Sequence, residues 1–523
     1  MQSEIFLINR VGVMWFFIAG LILIVSSCAS LPTDVQRTDS FAFKETSDTA
    51  LGSRVQQLVK QHPDESGFYE LSEGIDAYAA RLLLIRAAQK SIDLQYYIWH
   101  DDLTGRVLHN RLLAAADRGV RVRLLLDDMD TAGKDEMLHI IDAHPNIEIR
   151  LYNPFAGRNS RMGDYITDTS RINHRMHNKT ITVDNQAVVF GGRNIGDEYF
   201  DAAESVGFKD LDALAIGPIV NEISDQFDLY WNSQWVYPLE AFKPDEPVTE
   251  ERIADFRKQS DAYLEEAKQS RYADAIRVLD MVEKNITDFE FTWGRWVLAY
   301  DQPSKVEAKK VKAETHLAPQ LLKAFEKAQQ DVIIVSPYFV PGTNFTEYLV
   351  SLVDRGVRVR IMTNSLAAND VSLVHAGYKR YREALISGGV ELYEYKPIKG
   401  APDKKKESSW TGSSRASLHG KYLGFDQHYI FIGSFNLDAR SVALNTELGV
   451  YFESLEYGAL LDQTFDTKAI IKGYRVLLTD KGELEWLTLE DGKEVRFDHE
   501  PETSWWKRFS TDFLSIFVPE SQL

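Results

Sequence analysis

Short apolar runs alternate with amphipathic stretches along this chain, and the alternation occurs twice. In the first half it predicts a helix at 80–88, a strand at 92–99, a helix at 108–118 and a buried strand at 120–126. The second half repeats that order with a helix at 321–328, a strand at 332–335, a helix at 345–354 and a strand at 357–362. Helices and strands that take turns predict parallel or mixed sheets wrapped by helices, so the fold class is α/β.

A repeated hexapeptide points to an internal duplication. Arg-Gly-Val-Arg-Val-Arg begins at 118 and again at 355, which is 237 positions later. Glycine is expected where a helix stops, so the hexapeptide alone could be convergent. Since a longer motif repeats at nearly the same distance, duplication is the better interpretation. We divide the chain into a leader (1–28), a polar tether (29–50), a first domain (51–240), a helical insertion (241–304), a second domain (305–475) and a C-terminal extension (476–523).

The longer motif is His-x-Lys followed by Asp, and it reads HNKTITVD at 177–184 and HGKYLGFD at 419–426. The two histidines lie 242 positions apart, and each copy continues into a short apolar strand, a glycine and an asparagine. Side chains two apart share one face of an extended strand, so each His and Lys point the same way. The residues that recur are His177, Lys179, Asp184, Gly191 and Asn194 in one copy, and His419, Lys421, Asp426, Gly433 and Asn436 in the other.

Each copy gathers an imidazole, an ammonium and a carboxamide, which is half of a site for a phosphate diester. Facing each other, the two halves supply one imidazole to attack phosphorus and another for acid–base chemistry. Non-bridging phosphate oxygens gain charge in the transition state, and we expect two lysines and two asparagines to bind them, namely Lys179, Lys421, Asn194 and Asn436. We see no metal-ligand spacing, and this mechanism needs no cofactor.

Each histidine also needs a carboxylate to fix its tautomer. Asp210 and Glu447 lie at matched distances downstream of the two motifs and are the candidates for that role. The motif carboxylates Asp184 and Asp426 complete the catalytic set with the histidines and lysines. Their place at the end of the strand predicts that they brace the turn from the face opposite the histidine.

Composition narrows the class of partner. The chain has 523 residues, 44% of them hydrophobic and 26% charged, as in soluble globular proteins, and its formal charge is −19. Generic nucleic-acid binders usually carry a basic face, so we expect no nucleic acid as partner.

The N-terminus departs from the average composition. An apolar run of 15 residues at 11–25 follows Arg10 and precedes Val-Ser-Ser-Cys, with Cys28 the only cysteine of the chain. Such a run has the length of a signal-peptide core, whereas a bilayer span needs about 20 apolar residues. It is similar to a bacterial lipoprotein leader in which Cys28 is acylated, which predicts an envelope protein facing the periplasm, with sorting to the outer membrane. The alternative is an uncleaved anchor.

The paired motifs resemble those of the phospholipase D superfamily. The segments 92–128, 175–200, 417–454 and 501–523, with Asn369, His375, Tyr378 and Arg380, are similar to C-type bacterial cardiolipin synthases. The resemblance implies two α/β/α domains with the site at their interface. By motif position it makes His177 the nucleophile and His419 the acid and base, although nothing in the sequence forbids the opposite assignment. Gly192 stands where the first motif of the family often has serine.

The resemblance also implies phosphatidyl transfer to phosphatidylglycerol from a donor such as phosphatidylglycerol or phosphatidylethanolamine, at a bacterial membrane. Hydrolysis to phosphatidic acid is the first alternative, because only acceptor binding and water exclusion separate the two reactions. A nuclease and a non-catalytic lipid-binding scaffold are further alternatives. The aromatic face beginning at Trp505 and Trp506 predicts a C-terminal helix that lies on a membrane or packs on its own core.

Overall fold

Two mixed β-sheets form the framework of the molecule. The computed structural model describes residues 30–158, 160–200, 210–280, 286–308, 310–369, 371–397 and 418–515. Cys28 and the leader lie outside these residues, as do the last residues of the C-terminal extension. No helix within the described ranges is both long enough and apolar enough to cross a bilayer.

Within these ranges the first sheet contains nine strands. They are β1 (Ser66–Leu71), β2 (Ser91–Tyr96), β3 (Arg121–Asp127), β4 (Ile147–Tyr152), β5 (Thr180–Val183), β6 (Ala187–Gly191), β7 (Asp212–Ile216), β8 (Val236–Pro238) and β9 (Thr292–Gly294). Their order across the sheet is β8-β4-β3-β2-β5-β6-β7-β1-β9. Strands β2, β3 and β4 are parallel, and β5 runs antiparallel to β2.

The second sheet repeats this arrangement. Its strands are β10 (Trp296–Tyr300), β11 (Asp331–Val335), β12 (Arg358–Asn364), β13 (Glu391–Tyr395), β14 (Tyr422–Phe425), β15 (Tyr429–Gly433), β16 (Leu448–Glu453), β17 (Gly473–Leu478), β18 (Leu484–Glu490) and β19 (Lys493–Phe497). Read from β17, the order β17-β13-β12-β11-β14-β15-β16-β10 matches that of β8 to β1 in the first sheet. The predicted duplication is therefore visible in the topology.

Helices pack against both faces of the two sheets. In the first half they are Ala50–Val59, Gly74–Ala87, Leu103–Asp117, Asp135–Asp142, Met162–Thr167, Thr169–Ile172 and Ile219–Trp231. Glu250–Ala267 and Ala273–Asp280 follow in the predicted insertion. The second half has Ala318–Lys327, Gly342–Asp354, Ser372–Tyr378, Arg382–Ser387, Ala439–Ala443, Leu455–Lys472 and Trp505–Ser515. The predicted helices and strands are thus present, with shifted ends.

The repeated hexapeptide turns the chain from a helix into a strand in both halves. Gly119 has φ of 93° and Gly356 has φ of 89°, a left-handed conformation that glycine adopts without steric cost. Each glycine ends a helix, with its amide donating to Ala116 and Val353 respectively. The two hexapeptides are therefore identical in sequence at positions where both halves make the same turn from helix to strand.

Three large apolar clusters hold the layers together. Ile181 and Val183 belong to the core between the first sheet and its helices, and Leu423 and Phe425 belong to the equivalent core of the second half. A third cluster joins residues of both sheets, including Phe190 of β6 and Ile432 of β15. The inner faces of the two sheets therefore pack against each other, and the two halves share one buried interface.

Three of the predicted segment boundaries differ from those that the structure shows. From Arg37 the segment predicted as a tether lies against the first domain, where Arg37 Nε donates to the Val236 carbonyl and the Ala42 amide to Asp228. The end of the predicted insertion forms β9 and β10, and β10 belongs to the second sheet. The second sheet also extends beyond residue 475 through β17, β18 and β19. Edge strands are short and half exposed, so their apolar pattern is weak.

The C-terminal helix Trp505–Ser515 shows its aromatic face to solvent. Trp505, Trp506, Phe509 and Phe513 are all exposed, whereas Thr511 on the other side of the helix is buried. Of the two alternatives given for this helix, packing of the aromatic face onto the protein core is therefore excluded for these residues.

Candidate active site

Both motif histidines lie at the carboxyl edge of the parallel strands of their half. Gln95 near the end of β2 pairs with Thr180 at the start of β5, and His177 precedes that start by three residues. In the second half Val335 pairs with Tyr422, and His419 stands in the equivalent place. The motif residues His177 and Lys179 therefore precede the strand that was predicted to contain them.

One polar side chain at the end of β3 and of β12 fixes the backbone beside each histidine. Asp127 Oδ2 accepts a hydrogen bond of 2.7 Å from the amide of Met176. Asn364 is the equivalent residue, and its carboxamide accepts from the Leu418 amide at 3.0 Å and donates to the Leu418 carbonyl at 2.9 Å. Each histidine is thereby attached to the third strand of its own half.

The two halves are also joined at this point by backbone hydrogen bonds. The amide of His177 donates to the carbonyl of Thr446 at 2.8 Å, and the amide of Thr446 donates to the carbonyl of Arg175 at 2.8 Å. These bonds place the first motif directly beside Glu447. The predicted site therefore lies at the interface of the two halves.

His177 is oriented by a carboxylate from the other half. Its Nδ1 lies 2.9 Å from Glu447 Oε2 and 3.1 Å from the carbonyl oxygen of Ser434. A carbonyl oxygen only accepts hydrogen bonds, so Nδ1 carries the proton and Nε2 carries the lone pair. The hydroxyl groups of Ser434 and Ser441 donate to the Glu447 carboxylate as well.

His419 is oriented in the same crossed manner. Its Nδ1 lies 2.8 Å from Asp210 Oδ2, a residue of the first half. The other oxygen of Asp210 accepts from the Leu211 amide at 2.8 Å. Asp210 and Glu447 thus lie where the prediction requires an orienting carboxylate, but each serves the histidine of the opposite half.

Burial dominates the electrostatics of this site. Burial, together with the charges of Lys179 and Lys421, holds the pKa of His177 well below its usual value. Burial, with Lys421 adding to it, lowers the pKa of His419 to about 4. Burial raises the pKa of Glu447 to about 7. The free enzyme therefore holds both imidazoles neutral at neutral pH.

Asp210 behaves differently from Glu447. Burial alone would raise the pKa of Asp210, but His419, Arg193 and Lys421 outweigh it and hold that pKa below the usual range. Asp210 is therefore a carboxylate throughout the physiological range, and it favours the protonated form of His419.

The two motif lysines are folded back onto their own histidines. Lys179 Nζ donates to the carbonyl of His177 at 2.5 Å, and Lys421 Nζ donates to the carbonyl of His419 at 2.6 Å. Lys421 Nζ also lies 3.2 Å from the ring nitrogens of His419. Both lysines are buried. Lys421 therefore contacts the imidazole of its own motif, whereas Lys179 contacts the backbone of His177.

The motif aspartates support the turn after β5 and β14. The Asp184 carboxylate accepts from the backbone amides of Gln89, Lys90 and Ser91. Asp426 does the same for the amides of residues 329–331. Both aspartates have positive φ, 49° and 53°, in the hairpin that returns the chain. The structure thus places them away from the imidazoles, as their position in the strand predicts.

The two motif asparagines differ from each other in their contacts. Asn194 Oδ1 accepts from the Ile98 amide at 3.2 Å, and its Nδ2 donates to the hydroxyl of Tyr199 at 2.8 Å. Asn194 therefore contacts Tyr199 through one of its two Nδ2 hydrogens, and its predicted contact with phosphate remains a prediction. Asn436 is buried, and its Oδ1 has no hydrogen-bond partner among the described residues. Its predicted contact with phosphate remains a prediction.

Two tyrosines that the motif analysis missed contact the imidazoles. Tyr97 meets the ring of His177 edge-on with centroids 5.0 Å apart, and Tyr199 meets the ring of His419 at 5.3 Å. Both tyrosines belong to the first half, and the matched positions of the second half hold Pro337 and Ser441 instead. The signal that could have found Tyr97 is its position directly after β2, at the edge where the histidines were expected.

The residue two positions before the motif asparagine differs between the copies, and its surroundings explain why. A Cβ atom on Gly192 would lie 2.4 Å from Asp210 Oδ1, so any side chain there would displace the carboxylate that orients His419. In the second half Ser434 occupies this place, and its hydroxyl donates to the longer carboxylate Glu447. The space beside each histidine is thus filled in two ways, by a glycine and an aspartate in one copy and by a serine and a glutamate in the other.

One group of described side chains has the spacing of metal ligands, and it lies outside the catalytic pair. It consists of His100, Asp102 and Glu198. His100 Nδ1 lies 3.0 Å from Glu198. Asp102 caps the helix Leu103–Asp117 and accepts from the Asp197 amide at 2.7 Å. These contacts account for the cluster as a brace between two loops.

Comparison with known proteins agrees with this geometry. A family model described as cardiolipin synthase, PLD-like domain, matches residues 82–231 and 321–469, one segment in each half. Cardiolipin synthase C of Escherichia coli strain K12 is 42% identical over 471 residues, covering 90% of this chain and 99% of the relative. Cardiolipin synthase B of the same strain is 27% identical over 392 residues, covering 75% and 77%.

A solved structure supports the fold independently of close sequence similarity. The phosphatidylserine synthase of Haemophilus influenzae Rd KW20 aligns with a TM-score of 0.54 at 14% identity, covering 90% of this chain and 99% of that chain. The chain belongs to the cardiolipin synthases with phospholipase D-like domains. The predicted family, the duplicated α/β fold and the enzyme class of phosphatidyltransferase are confirmed.

Proposed function

We propose that this enzyme moves a phosphatidyl group from a donor phospholipid to phosphatidylglycerol at a bacterial membrane. The donor is phosphatidylglycerol or phosphatidylethanolamine, which loses glycerol or ethanolamine respectively, and the product is cardiolipin in both cases. The observation that carries the proposal is the crossed orientation of His177 by Glu447 and of His419 by Asp210. It gives one imidazole a defined lone pair and the other a partner that stabilises its protonated form.

In the first step, Nε2 of His177 attacks the phosphorus of the donor. The phosphorus–oxygen bond to the headgroup alcohol breaks, and its electron pair takes the proton carried by Nε2 of His419. The anionic phosphodiester raises the pKa of His419 when it binds, because opposite charges favour the protonated imidazole. This charge opposes the burial that keeps His419 neutral in the free enzyme.

In the second step, the glycerol hydroxyl of phosphatidylglycerol attacks the phosphohistidine. His419 takes the proton of that hydroxyl, and the bond between phosphorus and Nε2 of His177 breaks. The reaction thus returns both histidines to their starting state. Lys179 and Lys421 supply positive charge to the non-bridging oxygens, where charge rises in the transition state. Burial holds the pKa of Lys179 well below its usual value, and the negative charge of a bound phosphodiester favours the ammonium form.

Product analysis of purified enzyme tests this function. Phosphatidylglycerol is supplied in mixed micelles, and the products are identified by mass spectrometry for the wild type, His177→Ala and His419→Ala. We expect cardiolipin from the wild type and a loss of at least about 10²-fold in either variant. Phosphatidic acid without cardiolipin would establish hydrolysis in place of transfer.

A donor with an activated leaving group separates the roles of the two histidines. A p-nitrophenyl phosphodiester needs no general acid for its first step, because p-nitrophenolate leaves unprotonated. His419→Ala should release p-nitrophenol in one burst and trap the acid-labile phosphohistidine, whereas His177→Ala should do neither. The opposite pattern would make His419 the nucleophile.

The envelope location belongs to the same proposal. The leader with Cys28 supports attachment of the enzyme as a lipoprotein facing the periplasm, with the outer membrane as its destination. Mass determination of the membrane-extracted mature protein tests this directly. We expect a chain that begins at an acylated Cys28, and an intact leader would instead support the uncleaved anchor.

A further inference from the structure

Two helices expose apolar side chains next to the catalytic cleft, one in each half. Helix Met162–Thr167 presents Met162, Tyr165 and Ile166, which are between 45% and 67% exposed. Helix Trp505–Ser515 presents Trp505, Trp506, Phe509 and Phe513, between 49% and 68% exposed. We call these seven residues the apolar rim. Exposed apolar clusters of this size usually mark an interaction surface.

The first helix is attached to the chain that directly follows β3. Arg161, which precedes the helix, donates to the Met129 carbonyl at 2.8 Å and to the Thr131 hydroxyl at 2.9 Å. The residues after the helix lead to His177 through the short helix Thr169–Ile172. Since β3 ends at the edge that carries the histidines, this helix lies at the mouth of the cleft.

The second helix is attached to the equivalent place in the other half. Lys379, at the end of the helix Ser372–Tyr378, forms an ion pair with Asp512. Lys507 Nζ reaches the carbonyl of Ala367, three residues beyond the end of β12. Just before the second helix, Glu500 binds Arg382 at 2.7 Å in a buried position. These contacts hold the polar side of the helix and leave its aromatic side outward.

We propose that the apolar rim docks the enzyme onto the surface of a phospholipid bilayer, with the cleft facing the headgroups. This inference rests on the proposed function, because it takes a membrane lipid as substrate. Tryptophan and phenylalanine on a short amphipathic helix are typical of segments that lie in the membrane interface.

The position of the rim favours a bilayer over a second protein copy. The two apolar helices flank the site from opposite halves, so one occupant that covers both also covers the mouth of the cleft. A second copy in that place would shut out the lipid. A fluid bilayer instead delivers the scissile phosphodiester to the histidines, since the phosphorus lies in the headgroup layer.

Site-specific fluorescence tests the docking. Cys28 is the only cysteine, so full-length protein with Cys28→Ser accepts a single added cysteine. Trp506→Cys and Ile166→Cys are labelled with an environment-sensitive dye and mixed with vesicles of phosphatidylglycerol and phosphatidylethanolamine. We expect a blue shift of the emission and quenching by brominated acyl chains at both positions. No vesicle-dependent change at either position would overturn the proposal.

A matched control position lies in the second half, at the end of the strands opposite to the histidines. Leu455 is 69% exposed and lies beside the turn after β14, where Ser454 donates to the carbonyl of His428. Leu455→Cys carrying the same dye should show neither shift nor quenching. A blue shift at Trp506→Cys that needs no vesicles and grows with protein concentration would identify a second copy of the chain as the occupant, and would also overturn the proposal.

A kinetic test adds a readout that does not depend on labels. The combined variant Trp505→Gln/Trp506→Gln/Ile166→Gln should lower kcat/KM on vesicles by about tenfold or more, with unchanged activity on detergent-dispersed lipid. Leu455→Gln should change neither. Equal activity of the combined variant and the wild type on vesicles would contradict docking. Dye insertion without lipid turnover would instead leave the docking intact and remove the proposed function.

Discussion

The carboxylate of Glu447 lies 2.9 Å from Nδ1 of His177, although the two residues belong to opposite halves of the molecule. The reciprocal pair, Asp210 with His419, is separated by 2.8 Å. Each imidazole therefore depends on the other half for its tautomer as well as for its reaction partner. This crossing makes the position of one half relative to the other a direct determinant of activity.

The raised pKa of Glu447 predicts the pH dependence of the reaction. Burial raises this pKa to about 7, so the carboxylate that holds Nδ1–H of His177 is lost as the pH falls through 7. We expect kcat/KM to decrease below pH 7 for that reason. Glu447→Gln should lower the rate and remove this acidic limb, as measured by pH profiles of single-turnover transfer.

Asp210→Asn is the matched comparison for Glu447→Gln. The pKa of Asp210 lies below its usual range, so its protonation contributes nothing to the profile near neutrality. The Asn variant should be slower than the wild type at every pH and should keep the limb near 7. An acidic limb that survives in Glu447→Gln and disappears in Asp210→Asn would reverse this assignment.

Gly192→Ala should damage catalysis without touching a catalytic side chain. The added Cβ would lie 2.4 Å from Asp210 Oδ1 and must displace the carboxylate that orients His419. Misplacement of a catalytic group by about 1 Å costs on the order of 10²-fold in rate. Ser434→Ala, which keeps its Cβ and loses one hydrogen bond to Glu447, should cost about tenfold at most. Equal effects would contradict the steric explanation.

The motif aspartates should matter for stability more than for chemistry. Asp184 is fully buried and binds three backbone amides, so Asp184→Ala should lower the free energy of unfolding by about 3 kcal/mol. Asp426→Ala should cost less, because the amides of Gln329 and Gln330 are exposed and water can replace the carboxylate. Thermal unfolding measures both costs. A large loss of kcat in the folded Asp184→Ala protein would show a role in the reaction.

A buried histidine outside the site should make the fold sensitive to acid. His109 stacks on Trp99, and both of its ring nitrogens are buried without a hydrogen-bond partner within the described residues. Burial lowers its pKa from 6.5 to about 3. Between pH 6.5 and about 3 the unfolded chain therefore binds a proton that the folded chain does not. The free energy of unfolding decreases as the pH falls through this range.

His109→Phe keeps the stacking on Trp99 and removes the titration. The free energy of unfolding of the variant minus that of the wild type should be roughly 2 kcal/mol larger at pH 5 than at pH 7.5. The reason is that pH 5 lies about 1.5 units below the pKa of a histidine in the unfolded chain. Urea unfolding at the two pH values measures the difference. The comparison at pH 7.5 is the control, because the ring is neutral there in both states. A constant difference would mean that His109 titrates normally.

The sequence predicted the parts of this site that repeat. Two copies of His-x-Lys with a matched glycine, asparagine and downstream carboxylate are enough to place His177, His419, Asp210 and Glu447 around one centre. Local spacing also predicted the bracing role of Asp184 and Asp426, because residue parity along a strand decides which face a side chain takes.

The parts that could not be predicted depend on contacts between the halves. Nothing in the spacing shows that Glu447 reaches His177 and not His419, because the choice follows from the packing of the two sheets. Tyr97 and Tyr199 occur in one half alone, and the repeat cannot reveal the contact between Asn194 and Tyr199. The edge strands β9 and β10 were missed because their half-exposed residues carry a weak apolar pattern.

Either half on its own would be chemically incomplete, because the carboxylate that orients its imidazole belongs to the other half. We call each such histidine–carboxylate pair a dyad. Linking both halves in one polypeptide fixes their stoichiometry at one to one. It also frees the dyads to diverge, with aspartate beside glycine in one and glutamate beside serine in the other. A symmetric dimer of identical halves lacks that freedom, because every substitution would appear in both dyads at once.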